Sequence, residues 1–217
     1  TVIDDVATAD VILSYDTGTG GNETVVFLET MAAAPEKPWT GVGDNAWLIT
    51  AATADQMEQR TQANYGDGNP CGLEFRTGTG DLNDYMIETV NGIDANGAAG
   101  YVEFWIKTTN LEDADGWTFQ LDSGDGFVTR LSELVGSNHN WQLYRYDLAK
   151  SERVSDLKMR FQFCGGDAGD KISLDHISVT VTSESTTTDV AMYDDGAHAD
   201  GAPGDGVFGA AIPAMPE

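Results

Sequence analysis

The feature that most constrains the fold of this chain is a series of short segments in which apolar and polar residues alternate. Residues 101–108 are the clearest case, because Val102, Phe104 and Ile106 occupy every second position. A period of two residues is typical of a β-strand that buries one face. Comparable segments, separated by turns rich in Gly, Asn and Asp, recur at residues 24–29, 46–49, 71–76, 84–90, 117–122, 127–131, 141–148, 157–163 and 170–181. This pattern predicts an all-β, antiparallel β-sandwich rather than βαβ units.

The chain is strongly acidic. Among its 217 residues are 36 Asp and Glu against 11 Lys and Arg, a formal charge of -25. This charge argues against nucleic acid and anionic membranes, which are bound through basic patches. Many of the acids stand in loops beside Gly and Asn, a composition shared by cation-binding loops and by solvated turns. Five Trp and 41% hydrophobic residues are enough for a packed core, so the acidity does not indicate disorder.

Composition shifts divide the chain into four segments. Residues 1–22 are interpreted as an N-terminal edge strand or linker, and residues 23–182 as the β-sandwich. Residues 183–188 form a polar linker. Residues 189–217 contain two short strand-like runs around an Asp/Gly loop, and about 30 residues are too few to bury a core alone. We therefore expect a β appendage that begins a following domain.

Four further features qualify this organisation. Residues 51–63 are the stretch most compatible with a helix, but their apolar residues do not gather on one side, so an exposed turn or short helix is expected. No apolar run approaches the roughly 20 residues of a membrane span. No signal peptide is seen, and Thr1 is expected to begin an excised or processed segment. Cys71 and Cys164 are too far apart in sequence for a metal-binding cluster; a disulfide across the sandwich and two free thiols both remain open.

The segment from Asp170 to Val181 reads as a closing strand that carries two acids. Asp175 shares its parity with Ile177 and Val179, so simple alternation predicts that it points inward. Asp170 belongs to the preceding turn. An unpaired carboxylate in a half-buried strand is costly, and a cation would compensate it.

Several motifs resemble the MAM-like jelly rolls, a group of concanavalin-like sandwiches found in many bacterial surface and polysaccharide-associated modules. They are Phe27-Leu28-Glu29, Trp39, Trp47, the strands at 101–108 and 141–148, and Gly-Asp-x-Ile-x-Leu-Asp-x-Ile-x-Val at 169–179. The resemblance covers residues 23–182. It implies an antiparallel jelly roll, a secreted or cell-surface location, adhesion or glycan binding, and a structural Ca²⁺. Carried over, the ion would be held by Glu29 and Asp175, with Asp170 as a further ligand. His176 departs from the family, which has a second acid there, and the family's cysteine pattern is absent.

The C-terminal segment from Tyr193 to Pro213 is similar to the opening of immunoglobulin-like domains in large secreted bacterial proteins. Its Asp/Gly loop offers further candidate Ca²⁺ ligands, although the spacing does not match an EF-hand. The alternative is an ordinary acidic turn. The candidates are Asp194, Asp195, Asp200 and Asp205.

Sugars are bound by aromatic rings that cover their apolar faces and by hydrogen-bonding groups alongside. If the polar strand faces belong to one sheet, they would form a groove with an aromatic floor. The alternative is that Trp105 packs under a loop and the polar residues are only solvated. Trp117 and Trp141 are expected in the core. The candidate ligand-binding residues are Trp105, Tyr101, Gln120, Arg145, Arg160, Gln162 and, in a Pro-flanked loop, Trp39.

No catalytic motif is present. The sequence lacks a Gly-x-Ser-x-Gly elbow and a phosphate loop, and His139, His176 and His198 lack metal-ligand spacing. The sequence therefore predicts a noncatalytic extracellular module that binds a polysaccharide or glycan and carries structural Ca²⁺, with no nucleic-acid binding and no membrane insertion. The alternative function is a structural or adhesive module that contacts neighbouring modules or other copies of itself in a cell-surface or fibre assembly.

Overall fold

A computed structural model describes residues 12–16, 21–31, 39–50, 57–60, 63, 65, 71–76, 85–164, 169–183, 187–194, 196–197, 201–204, 206 and 208–210. The chain forms two compact units. One is Glu23–Ser183, and the other combines Thr1–Asn22 with Glu184–Glu217.

The described part of the chain is almost entirely β. Its regular elements are a 3₁₀ turn at Lys150–Glu152 and the strands β1 (Ile12–Asp16), β2 (Glu23–Glu29), β3 (Trp47–Thr50), β4 (Met57–Arg60), β5 (Gly72–Arg76), β6 (Tyr85–Thr89), β7 (Ala99–Thr109), β8 (Gly116–Asp122), β9 (Val128–Glu133), β10 (Gln142–Asp147), β11 (Lys158–Cys164), β12 (Lys171–Thr182) and β13 (Thr187–Ala191). Within the described part of the chain, no helix has both the length and the hydropathy of a membrane span.

Two antiparallel sheets form the sandwich of the larger unit. The first sheet has the order β10-β7-β12-β5-β4, and β2 pairs with the C-terminal half of β12. The second sheet has the order β3-β6-β11-β8-β9. The predicted fold class, an antiparallel jelly-roll β-sandwich with a C-terminal β appendage, is confirmed.

The core lies between the two sheets and follows the sequence alternation. Phe104 of β7 is fully buried, with Val102 and Ile106 on either side of it. Its ring contacts aromatic rings from both sheets, at centroid distances of 4.9 to 5.8 Å: Trp117, Phe119, Tyr144 and Phe161. Apolar burial on this scale is the main force that joins the sheets.

The helix-compatible stretch contains a strand instead. Met57–Arg60 pairs with β5 in register Met57 to Phe75, and Met57 is buried. An exposed turn or short helix is therefore wrong for these four residues. The ladder to β5 and the burial of Met57 outweigh local propensity.

The smaller unit pairs the two ends of the chain. Ile12 of β1 lies opposite Ala191 of β13, and Asp16 lies opposite Thr187. Tyr193 and Gly209 form an isolated bridge with two backbone hydrogen bonds of 2.9 Å. The N-terminal strand therefore belongs with the C-terminal appendage.

Candidate functional site

A bulge in β12 decides where Asp175 points. His176 has a φ of 48°, a left-handed conformation that is uncommon for residues other than glycine. The register with β7 shifts at this point, so that Asp175 lies opposite Trp105 while Ser178 lies opposite Glu103. The extra residue reverses the parity of the strand. Asp175 consequently lies on the outer face of the first sheet, and the inward orientation predicted by simple alternation is wrong.

Four rings meet on this outer face, and we call them the aromatic cluster: Tyr65, Trp105, Trp141 and His176. The Tyr65 ring stacks on Trp105 with centroids 4.5 Å apart, and its backbone N–H donates to Asp175 Oδ2 at 3.1 Å. Tyr65 also contacts Trp141 at 6.4 Å and His176 at 5.7 Å, both edge to face. Asp175 is therefore 0% exposed although it lies outside the core.

The cluster changes the expected roles of two tryptophans. Trp105 is on the outer face as predicted, but it packs beneath Tyr65. Trp141 is not in the core: it is only partly buried and contacts Tyr65 on the outside. Leu143, two residues on, lies opposite Trp105, whereas Tyr144 lies opposite the buried Phe104. The outward position of Trp141 could have been predicted from the alternation of β10, because Trp141 is two residues from Leu143 and so points to the same side.

A shallow, open cleft of about 460 Å³ lies at the end of β7, next to the aromatic cluster. Lys107 of β7 lies two residues, or about 7 Å, from Trp105 on the same face of the strand. Asn140 directly precedes Trp141. The cleft therefore places amide, hydroxyl and ammonium groups next to partly exposed aromatic rings. Its lining residues are Lys107, Thr108, Thr109, Asn110, Asn138, His139 and Asn140.

The wall of the cleft is held by hydrogen bonds to the end of β7. Asn138 Oδ1 accepts from Leu111 N at 2.8 Å, and Asn138 Nδ2 donates to Leu111 O at 2.9 Å. Thr108 Oγ1 donates to Ser137 O at 2.6 Å and accepts from His139 N at 3.1 Å. The loop is thus largely preformed, which lowers the entropic cost of binding.

A carboxylate behind the cleft positions His139. Tyr144 Oη donates to Glu133 Oε2 at 2.5 Å, and His139 Nε2 lies 3.2 Å from the same oxygen. Burial, followed by the hydrogen bond to Glu133 and its charge, raises the pKa of Tyr144. Burial opposes ionisation of Glu133, but hydrogen bonds from Tyr144, Ser137 and His139 outweigh it and lower the pKa. Glu133 is therefore ionised and Tyr144 protonated at neutral pH, which suits an anchoring role.

Two other predicted residues share the outer face of the first sheet. Arg145 of β10 lies over the Tyr101 ring of β7, with the guanidinium carbon 3.5 Å from the ring centroid. Arg145 Nε donates to Asp147 Oδ1 at 2.9 Å, and one terminal nitrogen lies 3.5 Å from Glu103 Oε1. The structure thus brings Tyr101, Trp105 and Arg145 onto one surface.

The remaining polar candidates lie on the opposite side of the sandwich. Gln120 of β8 donates to Gln162 of β11 at 3.0 Å, on the outer face of the second sheet. Arg160 binds Glu88 at 2.6 and 2.9 Å and lies 3.6 Å from the Phe127 ring centroid. The predicted groove required all these residues to lie on one sheet, and that condition is not met. Alternation does not reveal which sheet a strand joins.

Trp39 is buried rather than exposed. Its side chain is 3% exposed, and Nε1 donates to Val42 O at 3.2 Å. The prediction that this loop tryptophan is an exposed ligand contact is wrong.

Glu29 is a buried carboxylate that binds N–H groups. Oε1 accepts from Met31 N at 2.9 Å and Asp44 N at 3.0 Å. Oε2 accepts from Asn45 N at 2.9 Å and from Trp47 Nε1 at 3.0 Å. These donors satisfy the carboxylate without a cation. We call this arrangement the Glu29 clasp; it joins the end of β2 to the start of β3.

The structure does not bring Glu29 and Asp175 together as Ca²⁺ ligands. The register of β2 with β12 places Ile177, not Asp175, opposite Glu29. Asp175 accepts instead from the backbone N–H of Tyr65 at 3.1 Å and of His176 at 2.8 Å. Glu29 and Asp175 therefore each accept hydrogen bonds from their own set of N–H groups. This arrangement does not fit one Ca²⁺ ion shared between them.

Asp170 lies in a different group of acids, which we call the acidic cluster: Glu112, Asp115 and Asp170. One carboxylate oxygen from each lies within 4.8 Å of the others. Asp170 is 1% exposed, whereas Glu112 is exposed. Oxygen donors of this kind suit a hard divalent cation. Sequence analysis identified Asp170 and missed its two partners, because only the fold brings the turn after β7 to the start of β12.

In the smaller unit, Asp194 organises a glycine-rich loop. Its two oxygens accept from Gly204 N at 2.7 Å and Gly206 N at 2.9 Å. Both glycines have a φ near +80°, where other residues are strained. Asp194 therefore acts as a loop anchor. The other tail candidates, Asp195, Asp200 and Asp205, lie outside the described residues.

The cysteines are two free thiols. Burial raises the pKa of both, and for Cys71 the charge of Asp175 adds to this effect. The thiols remain protonated at neutral pH and are poor nucleophiles.

A family model, the second Ig-like domain of conditioned medium factor, matches residues 148–216. The match includes the C-terminal segment with the immunoglobulin-like resemblance. It begins inside the sandwich and covers less than half of the chain. The MAM resemblance stays a prediction. No curated protein matches the sequence.

Several solved β-sandwich domains are similar in structure. The K3 cleaved adhesin domain of Lys-gingipain from Porphyromonas gingivalis W83 has a TM-score of 0.48 and 13% identity, over 74% of this chain and 99% of that chain. TmCBM61, solved with β-1,4-galactotriose, has a TM-score of 0.47 and 14% identity, over 61% of this chain and 86% of that chain. The CBM22-1 xylan-binding domain of Paenibacillus barcinonensis Xyn10C has a TM-score of 0.44 and 11% identity, over 76% of this chain and 98% of that chain. Likeness at this level carries no information on what this chain binds.

Proposed function

We propose that this chain is a noncatalytic, extracellular carbohydrate-binding module whose site combines the aromatic cluster with the adjoining cleft. The observation that carries the proposal is that the two surfaces are neighbours: Lys107 is two residues from Trp105 on the outer face of β7, and Asn140 directly precedes Trp141. Trp141 and Tyr65 offer apolar rings, and Lys107 and Asn140 offer hydrogen-bonding groups beside them. Sugars present apolar faces and hydroxyl edges that match such a surface.

The chemistry of the cleft favours a hydroxyl-rich ligand. Among the described lining residues, Lys107 is the one Lys or Arg, and the others offer amide, hydroxyl or imidazole groups. These groups both donate and accept hydrogen bonds, as hydroxyls do. The preformed loop around Asn138 lets them bind without large rearrangement.

The Trp141→Ala variant tests this site. We expect its affinity for the bound polysaccharide to fall at least tenfold, or about 1.4 kcal/mol, because aromatic anchors dominate binding energies. The measurement is affinity electrophoresis in gels that contain xylan, galactan, mannan, β-glucan, starch or pectin. A thermal melt of each variant shows whether it is folded.

The matched control is Gln120→Ala, on the outer face of the second sheet. It should be retained like the wild type, because that face lies on the other side of the sandwich. Retention of Trp141→Ala equal to that of the wild type would exclude this site. The absence of wild-type retention in every gel would contradict carbohydrate binding itself.

The same module is proposed to hold a structural Ca²⁺ at the acidic cluster. The supporting observation is the approach of three carboxylates, one of them almost fully buried. Like charges so close repel each other, and a divalent cation would offset that repulsion. Bound there, the ion would tie Glu112 and Asp115, in the turn after β7, to Asp170 at the start of β12.

Thermal melts in CaCl₂ and in EGTA test the ion. At a free concentration 100 times Kd, Ca²⁺ stabilises the folded state by about 2.7 kcal/mol, which raises Tm by several degrees. Asp170→Asn should remove this shift. Asp122→Asn, whose carboxylate accepts from Gly124 N and Gly126 N away from the cluster, should keep it. A wild type without a shift, or a shift that survives in Asp170→Asn, would contradict the site.

A further inference from the structure

The outer face of the first sheet extends from the cleft along β7 to Tyr101, where Arg145 of the neighbouring strand β10 lies over the ring. From Lys107, the outward residues of β7 run through Trp105 and Glu103 to Tyr101. Lys107 and Tyr101 are six positions apart in the strand, a span of about 20 Å. A ligand that reaches from the cleft to Arg145 is therefore an oligomer rather than a single sugar.

Arg145 is a partly exposed hydrogen-bond donor at the far end of this face. Its guanidinium carbon lies 3.5 Å from the Tyr101 ring centroid, and the guanidinium donates to Asp147 at 2.9 Å and to Glu103 at 3.5 Å. A guanidinium has five N–H donors, and Arg145 makes no hydrogen bond to the described residues beyond these two. Its side chain is 48% exposed. N–H donors therefore remain for a ligand.

The local charge favours an uncharged ligand at this point. Glu103 and Asp147 together more than offset the positive charge of Arg145. A carboxylate or sulfate on the ligand would therefore meet net repulsion, within a chain of formal charge -25. Sugar hydroxyls accept hydrogen bonds from a guanidinium without adding charge.

We propose that the Arg145–Tyr101 pair is a second contact point for the same ligand, so that the module binds an extended, uncharged polysaccharide chain along β7. This inference rests on the carbohydrate site proposed above. Once a ligand is bound at the cleft, its binding to the Arg145–Tyr101 pair is intramolecular. Affinity should then rise with ligand length until the ligand reaches both contact points.

Calorimetric titration with oligosaccharides of defined length tests the second contact. The probes are the disaccharides and hexasaccharides of the xylan, galactan, mannan and cellulose series. For the wild type we expect the hexasaccharide to bind at least tenfold tighter than the disaccharide. Arg145→Ala should abolish most of this difference, whereas Trp141→Ala should weaken both ligands.

Arg160→Ala is the matched control, because Arg160 also stacks on an aromatic ring, at 3.6 Å from Phe127, but on the second sheet. The Arg160→Ala variant should still bind the hexasaccharide at least tenfold tighter than the disaccharide. If Arg145→Ala does so too, the second contact point is excluded. The proposed site at the cleft is still supported in that case if Trp141→Ala weakens binding. Equal affinity for hexagalacturonate and the galactan hexasaccharide would overturn the preference for an uncharged chain. If no probe binds the wild type, the carbohydrate site fails as well.

Discussion

The Glu29→Ala variant is expected to lose about 4 kcal/mol of unfolding free energy. Without the carboxylate, the buried N–H groups of Met31 and Trp47 and the part-buried backbone N–H groups of Asp44 and Asn45 would lose their acceptor. Each buried donor that loses its partner costs about 1–3 kcal/mol. Since domains are stable by only about 5–15 kcal/mol, this loss is a large fraction of the total.

Urea denaturation followed by tryptophan fluorescence measures this effect. All five Trp lie within Glu23–Ser183, so the signal reports on the sandwich. Glu23→Ala, at the exposed start of the same strand, is the matched control and should stay within about 0.5 kcal/mol of the wild type. The unfolding free energy of Glu29→Gln should lie between those of Glu29→Ala and Glu23→Ala, because the amide keeps one acceptor oxygen. A Glu29→Ala midpoint equal to that of Glu23→Ala would contradict the Glu29 clasp.

The Phe104→Ala variant is expected to lose about 3–5 kcal/mol through the cavity that it leaves. Phe104 is fully buried, and its ring contacts Tyr144 of the first sheet and Phe161 of the second. The surrounding rings belong to paired strands and cannot collapse far into the space.

The control for Phe104 is Leu143→Ala in the neighbouring strand. Leu143 is 44% exposed on the outer face, so its removal should cost less than about 1 kcal/mol. Both variants are measured by the same urea titration. Similar losses for the two would show that the core does not centre on Phe104.

The strands and their buried residues could be predicted because alternation is a local property. A strand with one face in the core repeats its pattern every two residues, and Val102, Phe104 and Ile106 show this directly. The same rule failed at Asp175, since the extra residue at His176 reverses the parity and leaves no clear signal in composition. Met57 was missed for a related reason: its strand exists through pairing with β5.

The candidate sites could be predicted only in part. Trp105, Tyr101 and Arg145 were identified because their residue types suit sugars and they stand on polar strand faces. Gln120 could not be assigned to the other side, because alternation gives the orientation of a side chain but not the sheet to which its strand belongs. Tyr65 was missed since its position depends on contacts with Trp105 and Asp175, which are distant in sequence.

The sequence by itself determined the all-β class, the strands, the core of the sandwich and the acidic character, because periodicity and charge act locally or by simple summation. Tertiary structure alone decided which side chains meet. It placed Glu29 in a clasp of N–H groups, Asp170 beside Glu112 and Asp115, and Trp141 beside the cleft. These contacts depend on strand order, register and one bulge, which are set by long-range pairing and packing.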